Sequence, residues 1–267
     1  MLLLDLTARP VIAHRGASAQ CPENTLSAFH RAVELGAEAL ELDVHLSADG
    51  VAVVIHDPTL DRTTDWRGPV AAQPLAILRD ADAGARFTAD GGRTYPWAGR
   101  GVRIPTLDEV LESFPSIPLV IEIKRRSAQH AVRQTLERHE AEGRCLLASF
   151  DAAALAVFPA ARFLDGGSRA EALRLLAMVI LHRPAAAVRA RALFLPTHYG
   201  RVPILSQRLV DEARAQGIPV HAWTVDDPTY ATTLWRRGVC GIVSNRPDEM
   251  LAARRLAPPL PSGNAVP

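Results

Sequence analysis

His14-Arg15-Gly16, Glu41-Leu42-Asp43, His56-Asp57, Glu122-Ile123-Lys124 and the stretch from His221 through Trp223 to Asp226 carry the residue types that handle charged substrates. Glu41 and Asp43 stand at i and i+2, so on a strand they share one face. Glu122 repeats the arrangement, two residues before Lys124. Carboxylates crowded together repel one another unless a cation sits among them. Three of them make a hard-oxygen site suited to a divalent cation, Mg²⁺ or Ca²⁺. A salt-bridge network with Arg15 and Lys124 is the bland alternative. Histidine as a residue type titrates near neutrality, so of His14 and His56 one can accept a proton while the other donates one. Arg15 offers a fork for a pair of phosphate oxygens, and Gly16 permits close backbone approach. Two histidines, a divalent cation and two cationic side chains describe cleavage of a phosphoryl ester. His45 continues the face of Asp43 and would support the site from behind. Trp223 would add a flat apolar wall for substrate carbons, or serve only as packing.

Such residues must be gathered by a scaffold. Eight short apolar runs, 10–14, 39–46, 119–124, 145–150, 162–165, 193–197, 220–225 and 241–244, read as strands. Helical spacing appears between most of them, at 23–35, 106–114, 128–142, 153–158, 170–182, 207–216 and 228–237. Thr106 and Glu109 have the spacing of a capping box. Eight strands alternating with helices predict an α/β fold, a (β/α)8 TIM barrel, whose active site lies at the C-terminal ends of the strands. The residues named above fall at those ends. The run 51–56 follows the second strand across an Asp49-Gly50 turn and reads as a hairpin. Segment 57–103 has little periodicity and reads as an insertion or lid after the hairpin, inside one catalytic domain of residues 1–267. The Pro-rich stretch 258–267 reads as a flexible tail.

Composition excludes several classes. With 30 Lys+Arg against 29 Asp+Glu, the net charge of +1 gives no broad footprint for nucleic acid, and no array of base-stacking aromatics is present. Three scattered cysteines form no disulfide framework or CxxC pair, which suits a reducing cytoplasm. The opening MLLLDL lacks the form of a signal peptide. The apolar run 175–181 is far below the ~20 residues of a membrane span. The helix 170–182 is nonetheless apolar almost all round. It is suited to burial, to a homodimer contact, or to a greasy rim for a lipid. Of the 30 basic residues 29 are Arg, so Lys124 is the only lysine. A slim ammonium can reach one oxygen between a cation and a phosphate where a guanidinium would crowd both.

His14-Arg15-Gly16-Ala17, Pro22-Glu23-Asn24-Thr25, Glu41-Leu42-Asp43-Val44, Asp49-Gly50, His56-Asp57, Ile121-Glu122-Ile123-Lys124, Ser149-Phe150 and Trp223-Thr224-Val225 occur in this order. Together they resemble the glycerophosphodiester phosphodiesterases over essentially residues 10–255. The resemblance implies a barrel of the phosphatidylinositol-phospholipase type with an inserted subdomain. It implies a divalent cation on Glu41, Asp43 and Glu122, an acid–base pair in His14 and His56, and Arg15 and Lys124 on the phosphate. It implies a glycerophosphodiester substrate, with glycerol 3-phosphate and an alcohol as products. Glu23 and Asn24 match the family's helix-opening segment, which implies that they orient groups of the site. A related activity on lysophospholipids is the alternative. The insertion 57–103 and the helix near 175 discriminate the two, since an open apolar mouth suits a lipid tail and a narrow closed one suits small head groups.

Overall fold

A strand covered on both faces reads as a continuous apolar run, and the predicted runs form strands of this kind. The computed structural model describes residues 1–180 and 190–256. The chain forms β1 (Val11–His14), α1 (Leu26–Glu34), β2 (Ala39–Leu46), β3 (Ala52–Val54), α2 (Leu75–Asp80), α3 (Leu107–Ser113), β4 (Leu119–Ile123), α4 (Gln129–Arg138), β5 (Cys145–Ser149) and β6 (Leu164–Ser168). It continues with α5 (Arg169–Ile180), β7 (Leu193–Pro196), β8 (His198–Tyr199), β9 (Val202–Pro203), α6 (Gln207–Ala215), β10 (Val220–Trp223), α7 (Pro228–Arg236), β11 (Gly241–Ser244) and α8 (Pro247–Leu256). Eight strands run parallel in the order β6-β5-β4-β2-β1-β11-β10-β7. The ends of this path, β6 and β7, lie side by side and nearly close the barrel, with no ladder between them among the described residues. β3 returns antiparallel along β2 as the predicted hairpin. β8 and β9 form a second small hairpin beyond β7.

Period-two alternation divides the side chains. Leu40, Leu42 and Val44 of β2 and Ile121 and Ile123 of β4 pack outward against the helices. Ile12, Ala39, Val120, Leu146, Ala192 and Val243 fill the lumen, and Leu3 from the N-terminal turn packs among them. Glu41, Asp43 and Glu122 therefore share the lumen face by strand geometry alone. The segment 57–103 has an apolar cluster of its own, in which Leu60, Val70, Leu78 and Val102 gather with Val53 and Ile55 of the hairpin. On α5, Leu175 is buried while Leu173 is 46% exposed, so this helix has one face in the fold and one in the open.

Some elements differ from the sequence expectation. The fifth barrel strand covers Leu164–Ser168 and not 162–165, because it runs through Gly166 and Gly167. A Cβ at Gly166 would stand 3.1 Å from the Leu147 carbonyl oxygen and 3.4 Å from Phe194, so a glycine lets β6 lie close. The predicted helix 153–158 is a 3-10 turn, Ala152–Leu155, capped by Asp151. Helices α2 and α8 were not anticipated. In α8, Asp248 and Glu249 open the helix and Arg254 and Arg255 close it, the charge order the helix dipole favours. Thr106 and Glu109 make the expected capping box. Positions 181–182 of the predicted helix 170–182, and the tail 258–267, lie outside the described residues. No described helix is long and apolar enough to cross a membrane.

Candidate active site

Strand register brings the chemical residues together. His14 at the end of β1 is level with Glu41 on β2, and Asp43 is level with Glu122 on β4. Oxygens of Glu41, Asp43 and Glu122 all lie within 4.8 Å of one another. Burial, then the charges of Asp43 and Glu122, push the Glu41 carboxyl well above the usual carboxylate range. Burial also raises Glu122. Burial acts to raise Asp43 as well, but Lys124 and Arg15 outweigh it and hold that carboxyl down. The Lys124 ammonium stands 2.8 Å from both Asp43 Oδ1 and Glu122 Oε1.

The loop leaving β1 is built around these carboxylates. Arg15 and Asn24 both adopt left-handed backbone, at φ 57° and 58°, a conformation that costs energy and clusters at working sites. The Arg15 backbone N–H donates to Glu41 Oε2 at 3.0 Å. Its guanidinium lies 3.1 Å from Asp43 Oδ2 and donates to Glu23 Oε1 at 2.8 Å. Asn24 brackets Asp43, donating from Nδ2 to Oδ2 at 2.9 Å and accepting from the Asp43 N–H at 3.3 Å. Gly16 does allow close backbone approach, but to helix α1: a Cβ there would come 2.5 Å from the Ala28 carbonyl carbon. His45 lies 3.1 Å through Nε2 from the His56 carbonyl oxygen, which ties β2 to the chain at His56.

The two histidines are held differently. His14 Nδ1 lies 2.7 Å from Asn245 Oδ1. Asn245 is oriented by Asp226, which accepts from its Nδ2 at 2.6 Å and its backbone N–H at 2.8 Å. The amide oxygen therefore faces His14, also accepts from Ser18, and assigns the His14 proton to Nδ1. Nε2 is left as the basic nitrogen. Burial, then the charge of Arg15, lowers the His14 pKa, so its neutral form is favoured. His56 Nδ1 instead donates to a carboxylate, Asp57 Oδ1, at 2.6 Å. Hydrogen bonds from Arg62 first, and from His56, hold the Asp57 carboxyl at about 2.

Arg62 joins the halves of the site. It donates to both Glu23 oxygens at 2.7 Å and to Asp57 Oδ2 at 2.7 Å. A continuous chain of charge thus runs from His56 through Asp57, Arg62, Glu23 and Arg15 to Asp43. With Glu41, Glu122 and Lys124 beside it, the site holds five carboxylates (Glu23, Glu41, Asp43, Asp57, Glu122) and three cations (Arg15, Arg62, Lys124). The excess of carboxylates over cations and the oxygen-only donor set fit a divalent cation at Glu41, Asp43 and Glu122, whose charge would relieve the crowding that adds to burial in raising Glu41.

One cavity of about 580 Å³ opens over these groups, and its lining includes His14, Arg15, Glu41, His56, Glu122, Lys124 and Trp223. Trp223 packs with the lumen cluster while Val225 joins the outer layer. The strand ends at Trp223, so alternation does not carry on to Val225. His198 reaches the cavity only at its exposed rim. The segment 57–103 meets the site through Asp57 and Arg62 and not through the cavity lining. Sequence reasoning missed Asn245 and Arg62. Asn245 directly follows the last strand, beside the strand of His14, which was a usable signal. Arg62 lies in an aperiodic stretch that carried none.

The chain matches the model of the Glycerophosphoryl diester phosphodiesterase family over residues 14–249. It is 34% identical over 251 residues to a glycerophosphodiester phosphodiesterase of Caldanaerobacter subterraneus subsp. tengcongensis, covering 90% of this chain and 96% of that one. It is 33% identical over 270 residues to a probable glycerophosphodiester phosphodiesterase of Mycobacterium tuberculosis, covering 92% of each. Among solved structures it resembles an Oleispira antarctica phosphodiesterase in complex with the product sn-glycerol-3-phosphate, with TM-score 0.74, 29% identity, and 93% and 97% of the two chains covered. The barrel, the carboxylate trio at its mouth and these likenesses agree, and the chain belongs to the glycerophosphoryl diester phosphodiesterase family.

Proposed function

We propose that this chain hydrolyses glycerophosphodiesters to glycerol 3-phosphate and an alcohol, with a divalent cation, Mg²⁺ or Ca²⁺, and with His14 and His56 as the acid–base pair. One observation carries the reading. The two histidines line the same cavity, and each is anchored through Nδ1, but on partners of opposite character. The amide behind His14 fixes its proton on Nδ1 and leaves Nε2 open as an acceptor, whereas the carboxylate behind His56 orients that ring to hand on a proton. His14 Nε2 therefore takes the proton of the attacking hydroxyl, from water or from the substrate's own 2-position. The new P–O bond forms as the bond to the alcohol breaks, and His56 gives its proton to the departing oxygen. A cation on Glu41, Asp43 and Glu122 would neutralise charge on the non-bridging oxygens. Arg15 and Lys124 contribute positive charge beside the phosphate, and Trp223 a flat wall for the glycerol carbons. Glu23, Asn24 and His45 hold Arg15, Asp43 and the His56 backbone in place. A cytoplasmic location is in keeping with three buried free cysteines.

The test is turnover of glycerophosphocholine and bis(p-nitrophenyl) phosphate. Activity should vanish with excess EDTA, return with Mg²⁺ or Ca²⁺, and be lost in His14→Ala and His56→Ala. Full activity in His14→Ala or under chelation would sink the mechanism.

A further inference from the structure

We propose that Arg169 selects diesters whose alcohol arm carries an anionic group over those whose arm is neutral or cationic. The inference rests on the phosphodiesterase reading above and names the class of leaving alcohol and the residue that reads it. Arg169 directly follows β6 and lines the cavity that also holds His14, Arg15 and Lys124. In the ring of eight parallel strands β6 stands opposite β1, the strand that ends in His14. A phosphate beside His14, Arg15 and Lys124 therefore leaves room for one of its two arms to cross the mouth toward Arg169.

The guanidinium is held in place but its charge is not neutralised. Its Nη2 donates to the Tyr199 hydroxyl at 2.9 Å, and its central carbon lies 5.7 Å from the centre of the Tyr199 ring. Among the described residues no carboxylate pairs with it. Glu171, two residues on, is turned to the backbone N–H groups of Ser168 and Ala190, at 3.1 Å each. A guanidinium carries more donors than one bond to a tyrosine uses. The remaining fork matches the paired oxygens of a carboxylate or a phosphate. Arg169 is moreover the first residue of α5, the end at which the helix dipole disfavours a cation. Helix stability therefore does not account for an arginine at this position.

The charges of the cavity lining point the same way. Among the described residues its only carboxylates are Glu41 and Glu122, and both belong to the cation site. Away from that site an ammonium group on the alcohol meets positive charge and no counter-charge. An anionic group meets a cation that nothing else in the lining neutralises. The chemistry at phosphorus is unchanged: the P–O bond to the alcohol breaks, His56 protonates the leaving oxygen, and the anionic group departs intact on the free alcohol.

The experiment compares matched pairs of substrates with Mg²⁺ or Ca²⁺ present: glycerophosphoserine against glycerophosphoethanolamine, and glycerophosphoglycerate against glycerophosphoglycerol. The members of each pair differ by a carboxylate on the alcohol, and release of glycerol 3-phosphate is read throughout. In both pairs kcat/KM should be about fivefold or more higher for the member with the carboxylate, the worth of a partly exposed charge-assisted contact. Both ratios should fall to within about twofold of unity in Arg169→Gln and should invert in Arg169→Glu. The side chain is exposed, so folding is not at stake. Ratios near unity in the unsubstituted protein, or ratios that survive in Arg169→Gln, would overturn this proposal and leave the phosphodiesterase reading standing. A preference confined to the serine and ethanolamine pair would overturn it too, because repulsion of the ammonium would then suffice. Turnover of none of the four substrates would overturn both readings.

Discussion

His221 makes the protein's stability depend on pH in a calculable way. The ring is fully buried on β10 and stacks on Phe194 at 4.8 Å. Its Nε2 meets the Leu3 carbonyl oxygen at 2.9 Å, so that nitrogen carries the proton. Nδ1 is buried with no partner. A second proton would have to sit on Nδ1, without an acceptor and away from water. Burial accordingly depresses the pKa from 6.5 to about 4. Between those values the unfolded chain binds the proton and the folded one does not. The stability contribution is thus complete above the unfolded pKa and is lost as pH falls. The full loss is about 3 kcal/mol, of which about 2 kcal/mol falls between pH 7 and pH 5. Urea unfolding followed by tryptophan fluorescence at pH 7, 6 and 5 measures it, with His221→Gln as the reference. Glutamine can still donate to Leu3 but cannot titrate. The variant should start less stable at pH 7 and lose less on acidification by that ~2 kcal/mol. Equal losses in the two proteins would refute the reasoning.

Three further outcomes follow from the site. Asn245→Leu removes the group that fixes the His14 proton on Nδ1, and kcat on glycerophosphocholine should fall roughly 10- to 100-fold at little cost in thermal stability. Arg62→Met cuts the link between Asp57 and Glu23; kcat should drop about tenfold or more while KM moves less, with Arg62→Lys restoring only part, since Lys cannot bridge two carboxylates as a fork does. Lys124→Arg puts a wide guanidinium where an ammonium touches two oxygens at 2.8 Å, and steady-state kinetics should show at least a tenfold loss, of order 1.4 kcal/mol; near wild-type turnover would make the only lysine a coincidence.

Much of this protein is determined by short-range pattern. Alternation along β2 and β4 separates Leu40, Leu42 and Ile121 from Glu41, Asp43 and Glu122, because successive strand residues point to opposite faces. Helix starts such as Thr106 with Glu109 are local as well. Strands with helices between them then lead to a parallel barrel with few alternatives. Partners distant in sequence are another matter. Asn245 reaches His14 across 231 positions, and Arg62 reaches Glu23 across 39, both by side-chain hydrogen bonds that no local pattern encodes. The same holds for the side of the cavity that α5 lines. The composition of that helix says only that it is apolar, and the fold alone shows that Ala172, Leu173 and Leu176 border the cavity while Leu175 is buried. Strand periodicity is a property of neighbouring residues, so the sequence alone carries the choice of carboxylates and the barrel. The anchoring of each histidine and the shape of the mouth depend on where remote segments close against one another, and only the tertiary structure decides that.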